Sequence, residues 1–372
     1  MNKFTFYPVG QGLFYAGQLN YFPWLPQHNF VFDCGGEKSY VQKAVRKFCE
    51  ENCHINLCVI SHLHKDHYNG LIYLKNKGIT FDEIFLPYLP KNSDFRNLKT
   101  VYIVGQYFEH LPNVTADDDD IASLNLMLSL YGITDGEELR HKVHIIENGN
   151  QKNNSVYFEY KNNLSTRDNK WIYEIYNKTI TAEKWNKFND KLKQYMRKEN
   201  VDNVFSLFPD NIAKLVEIYK AVFGANINAT SIVMKHYFNE KTHGYYPAKY
   251  KFFPVDDRYC SVICPFAYER RNKNVSVLTG DAEFDEYLRK RIFNEYSSIS
   301  VLQIPHHGAK SNWNKLRLPK DTECKLVASF GLGNQYKHPN IDVVTDILDM
   351  FDCEFISVTQ SEQYEYWIDN KE

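Results

Sequence analysis

The run Ile55-Asn56-Leu57-Cys58-Val59-Ile60 leads without a break into Ser61-His62-Leu63-His64-Lys65-Asp66-His67. The first of these segments is compact and apolar with polar residues on either side, the pattern of a buried strand. Three histidines and an aspartate within six residues at its end are hard to assign to packing. A chain built this way must present a cluster of imidazoles at one edge of a sheet. An α/β scaffold does so through the loops that leave its strand ends.

Further groups repeat the arrangement. Gly280-Asp281 follows the apolar run Val275 to Leu278, and His306-His307-Gly308 follows Ile299 to Ile304. His338-Pro339 comes less directly after Leu326 to Phe330. Neutral imidazole and carboxylate together suit zinc, manganese, iron or nickel. Residues two apart in an extended loop project to the same side, so His62 and His64 can grip one ion. Asp66 and His67 then face a neighbouring ion, and the two oxygens of Asp281 can bridge the pair.

The rest of the chain supplies a scaffold. Phe4 to Val9, Leu13 to Leu19 and Asn29 to Phe32 read as strands, the first two joined by Gly10-Gln11-Gly12. Ser39 to Glu51 is predicted helical, with Val41, Ala44, Val45 and Phe48 on one face. From about Pro90 to Ala225 helical segments and polar loops dominate, although Trp171 to Tyr176 alternates like a strand. Asp117 to Asp120 precede the helical stretch Ile121 to Tyr131, where acids satisfy free amides and the dipole better than they suggest a cation site. Strand signals return at Ser231 to Met234, Tyr259 to Cys264, Val275 to Leu278, Ile299 to Ile304, Leu326 to Phe330 and Phe355 to Val358, with Tyr364 to Ile368 as an edge strand. Strand-rich ends around a helical middle imply one α/β domain over residues 1–372. It carries a mainly helical insertion over about 91–225 and a smaller one over about 236–273. The smaller one holds Tyr245, Tyr246 and Lys249 to Lys251, as a lid or partner surface would.

Charge and cysteine usage narrow the partners. A formal net charge of -2 excludes the global basic field common in nucleic-acid binders. Eight cysteines without close regular spacing suggest reduced thiols and a cytoplasmic protein. No window approaches the ~18 apolar residues of a membrane span, so no membrane is expected.

Taken as a set, these motifs resemble those of the metallo-β-lactamase superfamily. Ser-His-Leu-His-Lys-Asp-His is similar to its His-x-His-x-Asp-His signature. Val9-Gly10-Gln11-Gly12, Phe32-Asp33-Cys34-Gly35, Thr279-Gly280-Asp281, Pro305-His306-His307-Gly308 and His338-Pro339 resemble the other motifs. Order and wording are most similar to the branch with the hydrolase domain of the DNA-uptake competence protein, to which Asn228 to Val233 also corresponds. Leu13 stands where that pattern often has an aspartate. The resemblance implies an αββα sandwich and two divalent ions, zinc or manganese. One ion would take His62, His64 and a histidine of the 306–307 pair, with His307 the expected one. The other would take Asp66, His67 and His338, with Asp281 bridging and Asp33 orienting the first cluster.

The function implied is a metallo-hydrolase, a phosphodiesterase or nuclease in which a metal-bridging hydroxide attacks a phosphodiester of nucleic acid or a nucleotide-like molecule. Asp66 and His306 are its expected catalytic residues; Lys310, Ser311 and Tyr336 are weaker candidates for substrate contact. Hydrolysis of an amide, lactone or thioester is the alternative. A metal-binding module working with a protein partner through the insertion is a third reading.

Overall fold

The computed structural model describes residues 2–19, 27–89, 96–109, 115–134, 143–146, 154–159, 169–177, 182–223, 231–240, 254–255, 258–259, 272–293, 297–318, 324–350 and 352–368. Within them two seven-stranded sheets face each other. The first runs in the order Tyr364–Ile368, Asn2–Phe6, Phe14–Leu19, His28–Cys34, His54–Val59, Thr80–Leu86, Val143–Ile145. The last four of these are mutually parallel. The second runs Glu354–Val358, Lys325–Ser329, Ser297–Gln303, Asn272–Leu278, Ile232–Glu240, Asn169–Asn177, Asn154–Glu159. Its first four strands are parallel and the rest antiparallel.

Alternation along the strands produces four layers. Phe4, Phe6, Tyr15, Phe30, Phe32, Leu57 and Val59 point inward from the first sheet and meet Trp171, Tyr173, Ile232, Met234, Leu278, Val301 and Val327 of the second. Much of the chain's aromatic surplus is used here: Phe4 stacks on Trp171 with ring centroids 5.5 Å apart, and Phe30 meets Tyr173 edge-on at 4.9 Å. The opposite face of the first sheet is covered by helices, among them Lys38–Glu51, which buries the predicted Val41, Ala44, Val45 and Phe48. Helices Glu286–Ile292, Lys310–Leu316 and Ile341–Leu348 cover the second sheet. The order is helix, sheet, sheet, helix: the αββα sandwich that the motifs imply.

The span 91–225 is more mixed than its composition suggests. Helices Arg96–Tyr107, Asp118–Leu130, Ala182–Glu199 and Ile212–Phe223 thicken the helical layer over the first sheet. The same span also gives Val143–Ile145 to the first sheet, and Asn154–Glu159 and Asn169–Asn177 to the second. The reason is visible in Trp171, Tyr173 and Ile175, a period-two set buried between the sheets. Asp117 caps Asp118–Leu130 through a reciprocal pair of bonds with Asp120, so the acidic run serves the helix end. Tyr245, Tyr246 and Lys249 to Lys251 lie outside the described residues, as do Cys260, Cys264 and Asn228. Among the described residues the cysteines are free thiols, and no helix is long and apolar enough to cross a membrane.

Candidate metal centre

Four parallel strands end on the same edge of the sandwich, and their following loops make the site. His54–Val59 leads to His62, His64, Asp66 and His67; Asn272–Leu278 to Asp281; Ser297–Gln303 to His306 and His307; Lys325–Ser329 to His338. Close backbone contact dictates the glycines between them. A Cβ on Gly35 would stand 2.4 Å from the carbonyl carbon of Asp66, and Gly280 turns with φ of 51° directly against the Ser61 side chain. Gln303 fixes that second turn, its Oε1 accepting from the amides of Thr279 and Gly280 at 2.8 Å each. Leu13 is buried between the sheets, and only its backbone N–H reaches the metal loop, donating to the Asp66 carbonyl at 3.1 Å. Apolar packing therefore explains its departure from the motif.

Two groups of three can each hold an ion: His62, His64 and Asp281, and Asp66, His67 and His307. Asp281 stands between them. Its Oδ2 lies 3.4 Å from His62 Nε2 and 3.9 Å from His64 Nδ1, while its Oδ1 lies 3.3 Å from His67 Nε2 and 3.9 Å from His307 Nε2. His307 is grouped with different residues from those the sequence led us to expect. It falls with Asp66, its Nε2 3.3 Å from Asp66 Oδ2, and not with His62 and His64. The cause is local: His306 and His307 both have positive φ, 51° and 54°, and this tight turn directs the adjacent rings to different sides. His306 instead borders the first group, with Nε2 3.6 Å from Asp281 Oδ2. His338 joins neither group. It packs edge-on against His306 with ring centroids 5.5 Å apart, and Tyr336 stacks on it at 6.1 Å.

Each of the four grouped imidazoles is anchored through one nitrogen while the other faces inward. His67 Nδ1 lies 2.8 Å from Asp33 Oδ2, His64 Nε2 lies 2.9 Å from Glu109 Oε2, and His307 Nδ1 lies 2.7 Å from the Ser329 carbonyl. Carboxylates and carbonyls only accept, so these nitrogens carry protons. Ser61 Oγ donates to Asp33 Oδ2 at 2.6 Å, which leaves it to accept from His62 Nδ1 at 2.9 Å. These bonds put a proton on each outer nitrogen, while His62 Nε2, His64 Nδ1, His67 Nε2 and His307 Nε2 are turned towards Asp281, the first two lying 3.0 Å from each other. Asp33 holds both His67 and the Ser61 backbone N–H.

Three buried atoms converge there with no hydrogen-bond partner: His67 Nε2, His307 Nε2 and Asp281 Oδ1. Leaving such groups unsatisfied costs about 1–3 kcal/mol each, which a bound cation would offset. The donor set of imidazoles and carboxylates fits zinc or manganese. Electrostatics agrees. Burial opposes charge on His64, but the nearby carboxylates of Asp281 and Glu109 prevail and raise its pKa to about 9. Burial is likewise outweighed on His67 by Asp281 and Asp33, and on His307 by Asp66, raising both. Burial would raise Asp281 and Asp66, but the surrounding histidines hold both below the usual carboxylate range. The pocket is thus a set of acids that requires positive charge, supplied by protons or by metal.

At the mouth the side chains of Asp66 and His306 remain 28% and 24% exposed. His306 Nδ1 contacts Asn312 Oδ1 at 3.3 Å, and Asn312 in turn donates to the Asp281 carbonyl at 3.1 Å. Of the weaker sequence candidates, Lys310 is paired with Asp342 and Ser311 donates to Asn312. Tyr336 is exposed beside the mouth. Sequence reasoning missed Glu109, Ser329, Gln303 and Asn312. Asn312 and Gln303 sit near motif residues, but Glu109 lies in the helical span, where no motif points to it.

No family model matches the chain, and neither does any curated protein. Among solved structures it is similar to MEM-A1, a subclass B3 metallo-β-lactamase isolated from a soil metagenome library, at 12% identity and a TM-score of 0.18. That match covers 48% of this chain and 58% of the other, so this chain spans less than two thirds of that protein. It is also similar to the metallo-β-lactamase SMB-1 bound to 2-mercaptoethanesulfonate, at 15% identity and a TM-score of 0.20, covering 59% of this chain and 74% of that one. Likenesses this slight carry no weight for activity; the layer order and ligand geometry stand on the chain's own residues.

Proposed function

We propose that the protein is a metal-dependent phosphodiesterase with two divalent ions, acting on a nucleotide-like diester or on nucleic acid. The observation that carries this reading is Asp281, whose two oxygens each face a separate group of anchored ligands. Two ions held this way would polarise a phosphoryl oxygen and bring the pKa of water towards neutrality, as in-line displacement at phosphorus requires. The chain's own residues do the rest. His62 and His64 with one Asp281 oxygen, and Asp66, His67 and His307 with the other, define two adjacent positions in a pocket closed on the sheet side. His306 at the mouth, whose pKa burial lowers, is placed to contact the substrate's oxygens. The net charge of -2 favours a small diester over a long polynucleotide track.

Turnover of bis-(p-nitrophenyl) phosphate with manganese or zinc, abolished in Asp66→Ala and Asp281→Ala, is the expected result. Hydrolysis of thioesters or lactones without any of phosphodiesters would replace this reading with the acyl-transfer one.

A further inference from the structure

We infer that Glu109 is a positioning residue for the His62–His64 half of the centre, and that the helical layer acts through it to control uptake of that ion; the inference rests on the metal-centre reading above. Three successive residues of the metal loop are each held from that layer. The backbone N–H of Leu63 donates to Gln106 Oε1 at 3.2 Å, from helix Arg96–Tyr107. His64 Nε2 meets Glu109 Oε2 at 2.9 Å, in the turn just beyond that helix. Lys65 Nζ lies 2.6 Å from Asp120 Oδ1, which also accepts from Tyr107 at 2.8 Å.

Glu109 is itself held. Tyr219, on helix Ile212–Phe223, donates to its Oε2 at 3.2 Å. That reach depends on close helix packing: a Cβ on Gly105 would stand 2.2 Å from the Tyr219 Cβ. Glu109, His64 and Tyr219 are all buried. A buried carboxylate on the outer nitrogen of a ligand imidazole fixes the ring's orientation and raises the basicity of its inner nitrogen. The chain Tyr219–Glu109–His64 therefore links a helix distant in sequence to one ligand of one half-site. His67 is held instead by Asp33, on strand His28–Cys34.

The test is a metal titration of the whole chain. Wild-type protein, Glu109→Gln and Tyr219→Phe are stripped with chelator and titrated with zinc by calorimetry and with cobalt by visible absorption. Glu109→Gln preserves shape and a hydrogen-bond acceptor, and circular dichroism checks that it is folded. The expected result is two equivalents in the wild type, and in Glu109→Gln one of them weakened about 10–100-fold. The other equivalent keeps its affinity and its cobalt spectrum. Tyr219→Phe shifts the same equivalent by less. Two unaltered equivalents in folded Glu109→Gln would overturn the inference, as would equal weakening of both. A wild type that takes up no divalent ion would overturn the metal-centre reading itself, and the inference with it.

Discussion

The two halves of the centre share Asp281 but are braced from different parts of the molecule. In the half formed by Asp66, His67 and His307, the bracing atoms come from sheet strands: Asp33 ends His28–Cys34, and the Ser329 carbonyl ends Lys325–Ser329. Those strands also contribute to the core between the sheets, so this half is braced by the sandwich itself. In the half formed by His62 and His64, Ser61 holds one ring from within the loop, but Glu109 and Tyr219 hold the other from the helical layer. Such a layer can shift without breaking either sheet. A symmetric ligand set can thus conceal unequal mechanical support, and the second half is where a change in the helices would be felt.

The largest effect should come from removing what the halves share. Asp281→Ala takes a ligand from both, and diester turnover should fall by about 10⁴-fold or more, the scale seen when a member of a catalytic unit is lost. Both metal equivalents should weaken together, whereas Asp66→Ala should spare the His62–His64 equivalent. If Asp281→Ala disturbed one equivalent alone, the bridging assignment would be wrong.

Asp33→Asn probes the sheet-braced half. Asp33 is wholly buried, and it is the proton on His67 Nδ1 that it accepts. An amide in its place weakens that support, so affinity for the Asp66–His67 ion should drop by about 10–100-fold. Because Asp33 also holds the Ser61 N–H and Oγ, stability should fall as well, by about 3–5 kcal/mol in the metal-free protein, as when one partner of a buried pair is lost. Denaturant melts of Asp33→Asn and Glu109→Gln distinguish the halves: the first should lose much more stability than the second. Equal losses would remove the contrast between sheet and helix bracing.

Much of this was legible in the sequence because metal ligands concentrate at strand ends and recur in short motifs. Spacing alone put His62 with His64 and Asp66 with His67, the same division as in the two clusters, whereas Asp281 was joined to them by its motif. The division of His306 and His307 could not, because it depends on two left-handed backbone residues whose directions no spacing rule gives. The position of His338 was not legible for a related reason: its loop brings it beside His306, outside the two clusters of described residues. Glu109 was invisible because a single glutamate after an amphipathic helix looks like any solvated acid. Only the packing of helices far apart in sequence makes it a partner of His64. Within 91–225 the alternation of Trp171, Tyr173 and Ile175 showed one strand, whereas Val143–Ile145 and Asn154–Glu159 were obscured by polar loops.

Proton release offers a milder test of the same contrast. Asp281 and Glu109 raise the His64 pKa to about 9, so it holds an extra proton at neutral pH without metal, and Asp281 and Asp33 raise His67 as well. A ligand nitrogen must shed that proton to bind, so each uptake step should release protons, and affinity should rise with pH until the raised pKa is passed. Calorimetry in buffers of different ionisation enthalpy counts the protons. Glu109→Gln removes one of the groups that raise His64, so fewer protons should leave with its ion. An unchanged count in that variant would mean that the proton resides elsewhere.

The smallest expected effect lies outside both halves. Tyr336, His338 and His306 form a row of rings leading from the surface to the first half-site, and Tyr336 is 39% exposed. A planar base attached to the scissile phosphate could lie on Tyr336, and stacking of a base on an aromatic ring contributes about 1–3 kcal/mol. Tyr336→Ala should raise KM for a nucleoside diester by about five- to tenfold, the lower part of that range. kcat should stay close to wild type, because no ligand is touched. A purely aliphatic phosphodiester should show no change, and Tyr336→Phe should behave as wild type on both. Equal losses for the aliphatic and the base-bearing substrate would show that the ring shapes the mouth without selecting what enters it.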